Sequence, residues 1–326
     1  MSIKNLVFSG AEIRGITYIG IIKAIEELGI KDDIKNILGV SSGAVFAVTF
    51  VLGLTSFQLE KIIMALSIDQ LFNFSTDNML NIEDRYGIDD GEKLRRIFKI
   101  LFKKILNNEN ATFRDLHSYN PGKNLIIVGT NLHKKTCEYF SYDTTPDMPL
   151  HIAIRISYSI PLCFKAIEYN NVTYIDGAFS NNFPINYFKE SIDNTIGIIF
   201  SRLHYSDTKI TTLSEYMSSI AECVLGIMPN YLKDLYSKNI IEIDVEYNIL
   251  EFKFNSDVKR VLIDAGYKQF KNKYTRRFGD NMSNDTNQSD LKSTNENVDE
   301  MIKDMNREIH SIDEKNKVNE LNNLNE

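Results

Sequence analysis

Asn36-Ile37-Leu38-Gly39-Val40-Ser41-Ser42-Gly43-Ala44-Val45-Phe46 is the stretch whose reading decides the fold. Ile37–Val40 has the character of a short buried strand, and the apolar residues from Ala44 to about Gly53 that of a helix. A serine on the tight turn between them projects its hydroxyl beyond the sheet, and flanking glycines tolerate a strained backbone there. The helix that follows aims its free N–H groups at the same place, which favours developing negative charge. Gly-x-Ser-x-Gly also arises by chance, and a plain Gly/Ser turn closing a βα unit is the bland alternative. The strand-turn-helix setting is what gives Ser41 its interest.

Outward from this turn the same alternation continues. Leu6–Phe8 is a strand and Ile16–Leu28 a helix stopped by Gly29, with apolar residues at Ile16, Ile19, Ile22, Ile25 and Leu28. Gln58–Ser67 is helical. Leu125–Val128, Glu138–Tyr142, Val172–Ile175, Thr195–Phe200 and Ile240–Val245 are strands. Helices are expected over about 212–236 and from Ser256 through about Tyr274, with Ser256 as cap. Strands alternating with helices imply an α/β fold, a mostly parallel sheet with helices on both faces.

Two further loops carry chemistry. In Tyr174-Ile175-Asp176-Gly177-Ala178 an aspartate closes a strand, and Gly177 allows a sharp exit. A carboxylate there, partly desolvated, can take a proton from a serine at the same end of the sheet. Its bland alternative is an Asp-Gly turn. Ser9-Gly10-Ala11-Glu12-Ile13-Arg14-Gly15, also between strand and helix, can offer backbone N–H groups to a phosphate or to the oxyanion of acyl transfer. The histidines, His117, His133, His151, His204 and His310, stand in ordinary settings. His204, late in the body, is the one whose place in the chain suits a Ser-His-Asp triad.

Taken together, Gly10 to Arg14-Gly15, Gly39 to Gly43, Asp176-Gly177-Ala178 and Asn182-Phe183-Pro184 resemble the ordered motifs of the patatin-like phospholipase family. Ser157-Tyr158-Ser159-Ile160-Pro161-Leu162-Cys163-Phe164 and Ile263-Asp264-Ala265-Gly266-Tyr267 are similar to further family segments, so the likeness runs from about Leu6 to Tyr274. It implies a three-layer α/β/α patatin-like hydrolase and a Ser41–Asp176 dyad acting through an acyl-enzyme. It also implies an oxyanion hole drawn from Gly10, Ala11, Glu12, Ile13 and Ser42, with Arg14, Gly15, Gly39, Gly43, Gly177 and Ala178 as motif support. The substrate implied is a glycerophospholipid or other acyl lipid, with no cofactor and no metal. The chain departs from the family where Ala11 and Glu12 follow Gly10, since further glycines usually stand there. A catalytically weak or silent lipid-binding homologue and a Ser-His-Asp esterase are the alternatives.

Composition bounds the rest. Hydrophobic residues at 43% and charged residues at 25% suit a globular chain with a sizeable core. From Gly279 onward there are 5 Lys/Arg against 12 Asp/Glu, which accounts for the whole formal charge of -7. A balanced body argues against nucleic acid as partner. Cys137, Cys163 and Cys223 lack metal or CxxC spacing and are expected as buried thiols in a reducing compartment. No secretory leader or uncharged apolar span is visible, which points to a cytoplasmic protein meeting membranes peripherally. Glu92–Leu106 is a basic amphipathic helix, in which Lys93, Arg95, Arg96, Lys99, Lys103 and Lys104 could touch a membrane surface. The domain expectation is a hydrolase body over 1–278 and an acidic, Asn-rich flexible tail over 279–326. Apolar spacing within 298–312 allows that tail a short helix and weak self-association.

Overall fold

The computed structural model describes residues 2–72, 86–201, 210–245, 255–278 and 295–323. β1 (Asn5–Phe8) leads through a 3-10 turn (Glu12–Ile16) into α1 (Thr17–Glu27), and β2 (Asn36–Gly39) leads into α2 (Ser42–Val51), with α3 (Ser56–Ala65) next. Then come β3 (Gly87–Asp89), α4 (Glu92–Leu106), α5 (Phe113–Tyr119), β4 (Asn124–Asn131) and β5 (Thr136–Ser141). They are followed by α6 (Leu150–Ser157), β6 (Leu162–Phe164), β7 (Ile167–Tyr169), β8 (Val172–Asp176) and the single turn α7 (Ala178–Asn181). β9 (Thr195–Phe200), α8 (Leu213–Leu235), β10 (Ile240–Ile243), α9 (Ser256–Phe278) and α10 (Asn295–Asn323) come last.

The sheet runs β10-β9-β1-β2-β4-β8-β7, with β5 on the other edge of β4. β10, β9, β1, β2 and β4 are parallel, while β5 and β8 pair with β4 antiparallel. Strand side chains alternate in direction, so each strand feeds two cores. Leu6, Phe8, Ile37, Leu125, Ile127, Ile198 and Ile241 join the core under α1, α2, α6 and α9. Val7, Leu38, Ile126, Val128, Ile199 and Ile240 face the opposite way, against Phe183, Ile185 and Leu232 of α8. This is the three-layer α/β/α arrangement of a mostly parallel sheet. The second outer layer is thin. Among the described residues it consists of α7, the 3-10 run Ile185–Asn194 and α8.

Helix starts follow their caps. α3 begins earlier than its apolar spacing suggests because Thr55 caps it and Gln58 reaches back, a reciprocal capping box. α1 and α9 meet backbone to backbone, since a Cβ on Gly20 would lie 1.8 Å from the Ile263 carbonyl oxygen, and one on Gly266 2.2 Å from that of Thr17.

Two expectations change. The C-terminal part is not a flexible tail with a short helix, because α10 spans Asn295–Asn323 and packs on α3 and α4. Val298, Met301, Ile302, Met305 and Ile309 are buried there, so the stripe thought free for self-association is used within the molecule. Residues 279–294 lie outside the described residues. The basic helix α4 exists, but Ile97, Phe98, Leu101 and Phe102 belong to the core and its cations are mostly paired. Lys93 pairs with Asp313, Arg95 and Arg96 with Glu92, Lys99 with Glu109, and Lys104 with Glu300 and Asp304. Among the described residues Lys103 is the exception. The acidic helix therefore occupies the surface that a membrane would need.

Candidate active site at the meeting of two strand ends

β2 and β8 lie on the same edge of β4 and run toward each other. Gly39 pairs with Ile127, and Asp176 with Gly129, leaving Val128 between the two registers. Ser41, two residues beyond β2, is thus brought to Asp176 at the end of β8. The carboxylate reaches the serine because β8 runs against the parallel strands, a reversal that its sequence does not announce.

Ser41 has φ 54° and ψ -127°. A left-handed φ at a non-glycine residue carries strain of about 1–3 kcal/mol and persists only where surroundings impose it. The strain sits on the serine itself, and the flanking glycines serve close approach instead. A Cβ on Gly43 would lie 2.4 Å from the Phe8 carbonyl oxygen, and one on Gly39 2.5 Å from that of Gly43. Gly177 similarly abuts the Val128 carbonyl. The Ser41 N–H donates to Ser157 Oγ at 3.0 Å. The Ser42 N–H, at the start of α2, has no intrahelical acceptor.

Asp176 is fully buried. Its N–H donates to the Ser159 carbonyl at 2.9 Å, Thr130 Oγ1 donates to its carbonyl at 2.8 Å, and its Oδ1 accepts the Ala178 N–H at 2.8 Å. Burial pushes its carboxyl up to about 7, against the lowering effect of the Ala178 N–H and the Ser41 hydroxyl. That hydroxyl is near enough to favour the charged form, although Oδ2 has no partner in full hydrogen-bond geometry. A carboxylate titrating near neutrality is suited to accept a proton.

The loop after β1 closes the third side. Gly10 touches Ser41, since a Cβ there would come within 3.3 Å of the serine Cβ. The Gly10 N–H donates to the Asn182 carbonyl at 3.2 Å and the Ala11 N–H to Ser42 Oγ at 3.1 Å. Those two amides are engaged. Glu12 and Ile13 open the 3-10 turn, so their N–H groups precede its first hydrogen bond. Glu12 has φ 52°, the left-handed region where a glycine is at home. Its Oε2 is buried without a hydrogen bond, and burial, opposed by Arg14, raises its pKa. Arg14 donates to the Ser201 carbonyl at 3.0 Å and lies over the Phe200 ring. Gly15 packs on the Ser42 side chain.

Sequence reasoning missed the frame around this site. Arg155, fully buried in α6, donates through Nε and Nη2 to the Asp90 carbonyl, through Nη2 to that of Lys165, and through Nη1 to Ser159 Oγ. It thereby fixes the segment whose Ser159 holds Asp176. The stretch Ser157–Phe164 stands out in the sequence, but an arginine six residues before the Pro161 turn carries no signal of its own.

The described histidines stand elsewhere. His117 stacks on Tyr142, His133 contacts Thr173, and His151 is buried beside Asn110 and pushed down to about 4 by burial and by Arg95 and Lys99. His310 is exposed on α10, and His204 lies outside the described residues. Cys137 and Cys163 are partly buried and Cys223 is exposed, which departs from the expectation of three buried thiols. Among the described residues no three His, Cys, Asp or Glu side chains are grouped to hold a metal ion.

Residues 6–189 match the family described as patatin-like phospholipase. The chain is 30% identical over 285 residues to an uncharacterized protein, R571, of Acanthamoeba polyphaga mimivirus, covering 82% of this chain and 93% of that one. It is 32% identical over 185 residues to a probable lipid hydrolase, 463L, of Invertebrate iridescent virus 6, covering 56% and 62% respectively. Among solved structures, VipD from Legionella pneumophila aligns with a TM-score of 0.55 at 18% identity, over 83% of this chain and 66% of that chain. That likeness concerns the fold.

Proposed function

Because the chain belongs to the patatin-like phospholipase family, we propose that it hydrolyses fatty-acyl esters of glycerophospholipids through Ser41 and Asp176. One observation carries this assignment. A strained strand-end serine lies beside a buried carboxyl titrating near 7, and no described histidine hydrogen-bonds to either. Asp176 takes the Ser41 proton as Oγ attacks the ester carbonyl, and the developing oxyanion falls to the N–H groups of Ser42, Glu12 and Ile13. Collapse of the tetrahedral adduct breaks the ester bond, and Asp176 returns the proton to the departing alcohol. Water, deprotonated by the same carboxylate, then attacks the acyl-serine and releases the fatty acid. Gly10 and Ala11 act as struts of the loop rather than as donors, because their N–H groups are already engaged.

A serine-reactive fluorophosphonate should label the wild type and leave Ser41→Ala unlabelled. Ser41→Ala and Asp176→Asn should each lower fatty-acid release from phosphatidylcholine by at least about 10²-fold with the fold retained. Wild-type turnover by Ser41→Ala would end the proposal.

A further inference from the structure

α8 is apolar on two faces. Leu225, Met228 and Leu232 turn inward and pack on the thin side of the sheet. Tyr216, Ile220, Val224, Ile227, Tyr231 and Leu235 follow one another at helical spacing on another face, and all are exposed, Ile227 by 70% and Tyr231 by 64%. A helix covered on one side ordinarily turns polar residues to solvent, and a second apolar stripe marks a surface that meets something. At about 1.5 Å per residue this one, from Tyr216 to Leu235, runs for about 29 Å.

The same helix is tied to the candidate site. Pro229 has no N–H, so the Leu225 carbonyl lacks its helical donor, and Asn182 Nδ2 reaches it at 3.5 Å. Asn182 is also the residue whose carbonyl holds the Gly10 loop against Ser41. One turn earlier, Glu222 is close enough to Glu12 to raise its pKa. The helix therefore passes the candidate site at its middle, around Glu222 and Leu225, with the outward stripe extending to either side.

We infer that the outer face of α8 is the surface by which the protein lies on a zwitterionic lipid layer. The inference rests on the lipid-hydrolase assignment above for its choice of occupant. An acyl ester is presented by lipids gathered in a layer, and a helix that meets the layer on its outer face while contacting Asn182 on its inner side would bring that layer close to the candidate site. Ile, Val and Leu enter the acyl boundary, while Tyr216 and Tyr231 suit its polar margin, where an aromatic ring is buried and its hydroxyl stays wet. Charge selects the layer. α8 carries Glu215, Glu222 and Asp234 against Lys233, a balance that disfavours an anionic surface. The cations of α4 that could have reversed this preference are, apart from Lys103, held by α10 and by neighbouring acids.

The test uses full-length Ser41→Ala protein, so that binding is measured without turnover and independently of the catalytic assignment. Co-sedimentation with pure phosphatidylcholine vesicles should be seen, and should persist in high salt. Ile227→Glu combined with Tyr231→Glu should weaken it by about tenfold or more, since two apolar contacts become charges. Glutamate is a good helix former, so thermal unfolding should match the parent. If it does not, Ile227→Gln with Tyr231→Gln should give the same loss of binding. Equal vesicle binding by the variants would overturn the inference. So would binding that requires anionic lipid and vanishes with salt, or a wild-type dimer in solution that the substitutions dissociate, which would make the face a self-interface. Loss of vesicle binding together with an inactive wild type would keep α8 as a lipid face and remove only the catalytic assignment.

Discussion

Glu12 holds a backbone conformation that suits glycine, in the loop that closes the third side of the candidate site. The left-handed φ costs about 1–2 kcal/mol for a residue with a Cβ. Its carboxyl does not escape to solvent. Oε2 is buried without a hydrogen bond, and burial favours the neutral form beside the position where negative charge would develop. Glu12→Gly should therefore raise stability by about 1 kcal/mol, read as a higher thermal midpoint, and leave hydrolysis unchanged or modestly faster. Glu12→Pro demands a φ near -65° and removes the N–H, so activity should collapse. Loss of turnover in a folded Glu12→Gly variant would assign the carboxyl a part in the chemistry. Legibility at this scale follows locality. Ser41 and Asp176 could be picked out because each ends a short apolar strand in a Gly-containing turn. The supporting bonds from Ser157, Ser159 and Arg155 could not, since their meaning comes from where α6 lies against two strands remote in sequence.

Among elements, α10 is the one whose behaviour its sequence conceals. Apolar residues at 298, 302, 305 and 309 define a stripe but not what covers it, and a short acidic stretch resembles a solvated helix on composition alone. The structure pairs it with α4, so that one basic and one acidic helix cover each other's apolar margin. Of the ion pairs between them, those of Lys104 with Glu300 and Asp304 lie at the surface and contribute little, whereas Lys93 is buried beside Asp313. The buried Val298, Met301, Ile302, Met305 and Ile309 contribute more, about 1.5–3 kcal/mol per fully buried side chain. Deleting 295–326 should lower the unfolding midpoint, whereas high salt should hardly shift it in the full-length protein. Calorimetry of the two forms separates these effects, and an unchanged midpoint on deletion would return the segment to the status of a tail. The strand order was only partly readable for a related reason. Alternating strands and helices announce the parallel half, but nothing local in Val172–Asp176 says that it runs antiparallel and meets β2 head-on.

For the whole molecule, a buried acid at the centre links activity to stability with opposite signs. The folded-state pKa of Asp176, about 7, lies above the ~3.9 of a free aspartate. Between these values the folded chain binds more protons than the unfolded chain, so this group's contribution is full below pH ~4 and is lost as pH rises through about 7. Turnover, which needs the ionised base, should rise over the upper part of the same window. Asp176→Asn should then unfold at a higher temperature than wild type at pH 8, and the gap should close toward pH 4. A variant less stable than wild type at pH 8 would show that the carboxylate is better compensated than its surroundings suggest.

The seam between α1 and α9 adds an order in time. The Gly10–Gly15 loop, Ser41 and Asp176 all leave the ribosome well before α9 exists, yet α1, into which that loop runs, lies at Gly20 directly on the Ile263 backbone. The site is complete as a list of residues long before it is complete in space. A product terminated ahead of α9 carries every candidate catalytic group and lacks the wall on which the first of its loops is braced.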